Sequence, residues 1–399
     1  MPIYIIALTL SIVLLLLYII LYWRRYAPIK SVAPIKNSVS TRKQITTCPG
    51  ISVVIITHDS DYVLQHTIDS VASQDYPDFE IIVVNNASTD NTNDVIKRAA
   101  KQYPTLLRST HLPQNRNGIL HMTIATTLGV RAARKEWIVL LRPNATPKSP
   151  LWLQSIAYAI GLGYDMCIGY NQYYGFDNSA WEKQAIRWHQ HLQILNYRAI
   201  NRGKRKPIEA ESSNFAFRKE DFIGNGGYGR WLNLPNYHEH LYATTYATSG
   251  KTAMLTDPEA QVETMLPPIR ELWQTEYQQT RKAYRRLSRP TKWRRRYYTI
   301  LNFIFILALL ALAAGVYWSM YPMPSDNSAD FIGSYLYLDS DLLTTPSIPI
   351  LTPCAVIVFV ATALIHLIYK VHRCKQDKKL ISLPLVSNIS TLLEEDEPA

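Results

Sequence analysis

Two polar turns, each placed directly after an apolar run, hold the residue types best suited to bind a ligand. A β-branched run ends in Thr57 and is followed by Asp59, and a second such run is followed by Asn86 and Asp90. Continuous apolar runs with a helix-like segment between them are typical of parallel strands buried on both faces. In such sheets ligands collect at the carboxyl ends of the strands. The sequence therefore predicts a ligand site at these two turns.

The elements that must position these turns alternate along residues 51–265. Strand patterns fit residues 52–57, 80–84, 137–141, 166–170, 214–218 and 252–256. Helical patterns fit residues 62–73, 92–102, 122–133, 151–161 and 180–199. This order predicts an α/β fold with a largely parallel sheet.

Three further segments, residues 3–21, 297–318 and 348–369, are apolar and contain no Lys, Arg, Asp or Glu. Each has about the 20 residues that a bilayer-spanning helix needs, although a buried core helix is the alternative for each. The first segment lacks a basic start and a small-residue cleavage site, so an anchor fits it better than a signal peptide. Basic residues flank all three segments on the side that would face the cytoplasm.

The chain is thus predicted to have eight parts. They are an amino-terminal anchor (1–22), a linker (23–50), the α/β domain (51–265), a basic helical segment (266–296), a span (297–318), an external loop (319–347), a span (348–370) and a cytoplasmic tail (371–399).

The net charge of +11 is concentrated beside the second span. Residues 281–296 carry nine Lys or Arg and no acidic residue, interleaved with aromatic and apolar side chains. Such a segment next to a span suits an anionic membrane surface, which disfavours nucleic-acid binding and leaves a solvated face as the alternative. The four cysteines show neither metal-ligand nor redox spacing, as suits a cytoplasmic domain.

The stretches THDSDYVLQHTIDSVASQDYP and EIIVVNNASTDNT resemble the opening of the family-2 glycosyltransferases, which have the Rossmann-like GT-A fold. The resemblance continues through IVLLRPNATPKSPLWL, ESSNFAFRKEDFIGNGGY and EYQQTRKAYRRL, and covers roughly residues 51–287. It implies nucleotide-sugar contacts at Thr57, Asp59, Asn86 and Asp90. Asn86 keeps hydrogen-bonding capacity but is not the carboxylate that the family carries there.

The family's metal-binding Asp-x-Asp motif falls on Arg142-Pro143-Asn144. Arginine repels a divalent cation, and the single amide oxygen of Asn144 is a poor substitute for two carboxylates. The resemblance thus implies Mg²⁺ or Mn²⁺ as a doubtful cofactor, with Asn144 as its weak ligand. Two interpretations stay open: Arg142 neutralises the donor diphosphate in place of the metal, or the site has decayed.

Two more positions are implied by the resemblance. Glu239 is the candidate base that would deprotonate the acceptor hydroxyl, with an ordinary surface turn as the alternative. Arg281 is the candidate phosphate partner, with an interfacial anchor as the alternative. His238 and His240 do not have the helical spacing of a zinc site.

The sequence predicts a glycosyltransferase of the bacterial inner membrane with its catalytic domain in the cytoplasm. It would move a sugar from a nucleotide-sugar donor to a lipid-linked or polysaccharide acceptor at the inner leaflet. The alternative is a domain that has lost turnover and serves as a scaffold or regulatory subunit in a glycan-assembly complex, because a fold does not fix a function.

Overall fold

The computed structural model describes residues 3–26, 48–113, 122–175, 179–202, 205–232, 234, 238–266, 289–320, 360 and 364. Arg281, most of the predicted external loop and third span, and the predicted tail lie outside these residues. The chain divides into two compact units, one of residues 1–29 and 296–376 and one of residues 30–295 and 377–399.

The helices are α1 (Ile3–Tyr26), α2 (Asp61–Ala72), α3 (Thr92–Gln102), α4 (Met122–Ala132), α5 (Trp152–Gly161), α6 (Ala180–Tyr197), α7 (Lys219–Gly224), α8 (His238–Tyr246) and α9 (Arg289–Met320). The strands are β1 (Ile51–Thr57), β2 (Phe79–Asn86), β3 (Leu107–Leu112), β4 (Trp137–Leu141), β5 (Ala145–Pro147), β6 (Met166–Gly169), β7 (Asn171–Tyr174), β8 (Phe215–Arg218), β9 (Thr252–Leu255) and β10 (Val262–Met265).

The large unit is built on a seven-stranded sheet in the order β3-β2-β1-β4-β8-β6-β9. Its neighbouring strands run parallel except at β8, which is antiparallel to both β4 and β6. The prediction of an α/β fold with a largely parallel sheet is confirmed. Because Thr57 pairs with Asn85 in register, the polar turns after β1 and β2 begin at the same edge of the sheet.

Helices on both faces bury the central strands. Val53, Val54 and Ile55, whose side chains alternate between the two faces of β1, are all fully buried. On one face α4 packs very closely, since a Cβ atom on Gly129 would lie 2.5 Å from Val54 Cγ1. This close packing fixes the start of α4, with Met122, at the edge where the polar turns lie.

A second sheet of three strands, in the order β5-β10-β7, adjoins the end of β4 in the chain. Strand β5 follows β4 after the turn at residues 142–144, and β10 pairs antiparallel with β5 and parallel with β7. The small sheet therefore adjoins the turn at the predicted Asp-x-Asp position.

The smaller unit contains α1 and most of α9. The rings of Tyr18 and Phe305 lie 5.1 Å apart, and Ser11, Leu15 and Ala308 are buried. A helix with the length and apolar composition of a membrane span was not found among the described residues. The three predicted spans stay a prediction.

Candidate active site at the strand ends

The turns after β1 and β2 are tied together by Asp59. Its Oδ1 accepts hydrogen bonds from the backbone N–H of Thr89 (2.6 Å) and Asp90 (3.4 Å), and its own N–H donates to Ser88 Oγ (3.1 Å). Asp59 adopts a positive φ of 45°, which short polar side chains tolerate best after glycine. The carboxylate predicted to contact a nucleotide therefore also holds the two turns in one arrangement.

Asp90 joins the starts of two helices. Its Oδ2 accepts from the N–H of Asp61 (3.1 Å), the first residue of α2, and its Oδ1 accepts from the N–H of Thr92 (3.0 Å), the first residue of α3. Burial favours a raised pKa, but these hydrogen bonds outweigh it and lower the pKa of Asp90 below its ordinary value. Asp90 thus stays ionised and stabilises the turns, and its predicted contact with a nucleotide remains untested.

Thr57, Asn85 and Asn86 form the buried floor of this edge. The Thr57 hydroxyl has no hydrogen-bond partner among the described residues. Asn85 Oδ1 accepts from the N–H of Ser88 (3.0 Å), and Asn86 Nδ2 donates to Met122 Sδ (3.4 Å). A buried hydroxyl without a partner is uncommon. Thr57 therefore has hydrogen-bonding capacity left for a ligand.

Ala87 is placed where the backbone favours glycine. Its φ is 57°, in the left-handed region that costs a residue with a Cβ atom about 1–2 kcal/mol. We expect Ala87→Gly to raise the free energy of unfolding by about 0.5–1 kcal/mol, because the relieved strain exceeds the added flexibility of the unfolded chain. Chemical unfolding would measure this. Gly163, with φ 85° and open space around it, is the matched control, since Gly163→Ala should lower stability.

Arg142 begins the turn that follows β4, at the predicted Asp-x-Asp position. Its Nε donates to Ser212 Oγ (3.0 Å), and its backbone oxygen accepts from the N–H of Ala145 (3.1 Å). The backbone oxygen of Pro143 accepts from Thr67 Oγ1 on α2 (2.6 Å). These contacts place a guanidinium at the carboxyl end of β4, which pairs directly with β1.

Asn144 forms hydrogen bonds to the small sheet. Its Nδ2 donates to the backbone oxygen of Met265 (2.7 Å), and its own backbone oxygen accepts from the N–H of Met265 (3.0 Å). Across the described part of the chain, no group of three or more His, Cys, Asp or Glu side chains is arranged to hold a metal ion. Arg142 brings a positive charge to this turn, and Asn144 offers one neutral amide oxygen where a carboxylate pair would bind a cation, so the turn fits a divalent metal poorly.

Glu239 lies in the first turn of α8 and is half-buried. Its neighbour His238 is buried, with Nε2 2.8 Å from Thr123 Oγ1 and 3.2 Å from the backbone oxygen of Trp231. Thr123 follows Met122, which contacts Asn86, so His238 attaches the start of α8 to the side of the edge where Asn86 lies. Burial raises the pKa of Tyr228 well above its ordinary value, and the charge of Glu239 adds to this rise.

The structure brings together Thr57, Asp59, Asn86, Asp90 and Arg142 at the carboxyl edge of the sheet, with Glu239 on an adjoining helix. Sequence reasoning missed Ser212 as the partner of Arg142, although this serine lies in the stretch ESSNFAFRKEDFIGNGGY that carries the resemblance. It also missed Glu211, which precedes that turn and is only 10% exposed.

Comparison with known proteins gives the following. Residues 52–225 match the family model "Glycosyl transferase family 2". The poly-β-1,6-N-acetyl-D-glucosamine synthase of Staphylococcus epidermidis is 28% identical over 108 residues, 27% of this chain and 25% of that protein. The probable glycosyltransferase YdaM of Bacillus subtilis is 29% identical over 82 residues, 20% of each chain. This chain therefore spans a quarter or less of the length of these two relatives.

Among solved structures, the mannosyltransferase PcManGT from Pyrobaculum calidifontis, in complex with GDP-Man and Mn²⁺, superimposes with a TM-score of 0.52. The match has 17% sequence identity and covers 90% of this chain and 98% of that one. At this identity the likeness shows a common fold.

Proposed function

We propose that the chain is a glycosyltransferase in which Arg142 takes the place of the donor-site metal, because residues 52–225 match the model of glycosyl transferase family 2 and the fold is shared with a mannosyltransferase. It transfers a sugar from a nucleotide-diphosphate sugar to a lipid-linked or polysaccharide acceptor. The observation that carries the proposal is the guanidinium of Arg142 at the end of β4, held by Ser212.

Arg142 supplies the chemistry that a departing diphosphate requires. Negative charge grows on the bridging oxygen as the bond from the anomeric carbon breaks, and a fixed cation stabilises that charge without rearranging. A guanidinium also presents several donors in a planar fork that matches phosphate oxygens. Asn86 and the hydroxyl of Thr57 provide hydrogen bonds for the base and ribose beside it.

Glu239 is the general base that activates the acceptor. Its carboxylate takes the proton from the acceptor hydroxyl as the oxygen bonds to the anomeric carbon. Among the described residues, no hydrogen bond to a protein group occupies this carboxylate. The link from His238 through Thr123 and Met122 to Asn86 keeps Glu239 on the same side of the domain as the nucleotide.

Membrane attachment at the cytoplasmic face is part of the proposal. Helix α9 carries Lys292 and Arg294–Arg296 near its start and an apolar sequence through the rest of its length. Trp293 between these basic residues is 65% exposed. A basic and aromatic start followed by an apolar run suits anionic lipid headgroups above a bilayer. We further propose that the chain acts at the inner leaflet on a lipid-linked or growing glycan.

The second candidate is a scaffold or regulatory subunit of a glycan-assembly complex. The hydrogen bonds of Asp59 and Asp90 favour it, because both carboxylates already stabilise the turns of the protein itself. A domain that needs these residues for folding could keep them after turnover is lost.

Calorimetric titration of the detergent-purified chain with UDP and GDP, with and without Mn²⁺, separates the two. The enzyme with Arg142 in place of the metal should bind one nucleotide saturably with the same affinity in both conditions. Binding that requires Mn²⁺ would overturn the role of Arg142. A chain that binds neither nucleotide in either condition would favour the scaffold.

A further inference from the structure

We propose that Glu211 is a positioning residue that holds Arg142 in place through Ser212. The proposal rests on the function proposed above, because it concerns the group that receives the diphosphate. Glu211 does not need to touch a substrate for this role. It fixes the turn that carries the hydrogen-bond partner of Arg142.

The Glu211 carboxylate accepts one hydrogen bond and lies beside a histidine ring. Oε2 accepts a short hydrogen bond from the hydroxyl of Tyr173 on β7, and Oε1 lies 3.5 Å from Nδ1 of His189 on α6. The rings of Tyr173 and His189 lie 4.6 Å apart, so the two partners also pack against each other. The side chains of Glu211 and His189 are 10% and 15% exposed. Because solvent competes little here, the hydrogen bond from Tyr173 restrains Glu211 more than an exposed one would.

The other end of the turn is fixed in the core. Asn214 is buried, accepts from Trp152 Nε1 (3.1 Å) and donates to the backbone oxygen of Ala260 (2.9 Å). Its N–H donates back to the backbone oxygen of Glu211 (3.3 Å), which closes the turn. Ser212 therefore lies between two anchored residues and has little freedom to move.

Ser212 in turn restrains Arg142. Its Oγ accepts from Arg142 Nε at 3.0 Å. An arginine side chain has about 2 kcal/mol of rotamer entropy to lose, so restraint before the donor arrives favours binding. Loss of the Glu211 anchor would loosen Ser212 and so weaken its restraint on the guanidinium.

Titration of the detergent-purified full chain with UDP and with GDP tests this through a double-mutant cycle, measured with the nucleotide that wild type binds. We expect Glu211→Gln and Ser212→Ala each to raise the Kd about tenfold, and the double variant to raise it no further. Tyr173→Phe, which removes only the hydroxyl donor, should give a smaller change in the same direction. Glu263→Gln is the matched control: this carboxylate lies on β10, the strand that pairs with β7, and forms an ion pair with Lys148 (2.8 Å), so its loss should leave the Kd unchanged.

A Kd within twofold of wild type in folded Glu211→Gln, or single effects that multiply in the double variant, would overturn the proposal. Exchange of the Arg142 Nε–H with solvent, followed by NMR in [¹⁵N]arginine-labelled chain, supplies a readout that needs no nucleotide. Glu211→Gln should speed this exchange, and unchanged exchange would overturn the role of Glu211. If wild type binds no nucleotide while Glu211→Gln still speeds the exchange, the proposed function fails and the positioning role stands.

Discussion

Arg142→Ala should abolish measurable binding of the nucleotide sugar, whereas a metal chelator should leave wild-type binding unchanged. Each hydrogen bond to a charged group contributes about 1.5–3 kcal/mol, and a guanidinium can make two to a diphosphate. The Kd should therefore rise at least about 100-fold. Arg142→Lys, which keeps the charge but loses the planar fork, should give an intermediate Kd. Isothermal titration of each variant, with and without EDTA, measures these effects.

Arg218 offers a control at the other end of the same sheet. It pairs with Trp137 in register, places its guanidinium 5.3 Å from the indole centroid and lies 4.0 Å from Glu136. Arg218→Ala removes the same charge far from the predicted donor site, so the Kd should not change. Nucleotide binding that survives Arg142→Ala would contradict the replacement of the metal by arginine.

The sequence predicted six strands of the large sheet well, because strands that are buried on both faces consist of continuous apolar runs. Strands β1, β2, β4, β6, β8 and β9 were all placed within a few residues of their observed bounds. The antiparallel direction of β8 was not predicted, since Phe215–Phe217 are as apolar as the strands on either side. Direction depends on the path of the chain between strands, which composition does not encode.

The missed strands have a different physical cause. Strand β3 lies at an edge of the sheet, and only Leu107 in it is buried, so the sequence of Leu107–Leu112 is mixed and polar. Strands β5, β7 and β10 have three or four residues each, too few to show a period. They form the small sheet that supports Asn144.

The site was predictable to the level of which turns meet, because parallel strands end at one edge. The contacts between side chains within the site were not predictable. Arg142 receives its restraint from Ser212, 70 positions later, and Glu211 is buried only because Tyr173 and His189 come from other elements. Asp59 and Asp90 were placed at the correct turns, but their bonds to the backbone depend on a positive φ and on helix starts that a motif does not display.

Glu239→Gln should stop sugar transfer while the Kd for the donor nucleotide stays near that of wild type. A positioned general base accelerates a reaction about 10²–10⁴-fold, and the amide of glutamine cannot take the acceptor proton. The substitution is nearly isosteric and lies on α8, away from the turns of β1, β2 and β4, while His238 keeps its contact with Thr123. Transfer to acceptor from a radiolabelled donor measures the rate, and calorimetry of the same preparation measures donor affinity.

Glu220→Gln is the matched control, because this glutamate begins α7 and is exposed to solvent. Both variants remove one carboxylate from a helix start, so a general change of surface charge would affect them alike. A rate that falls only in Glu239→Gln assigns the proton transfer to Glu239. Full activity in Glu239→Gln would exclude that role, and equal loss of rate and donor affinity would mean that Glu239 supports the binding site rather than the chemical step.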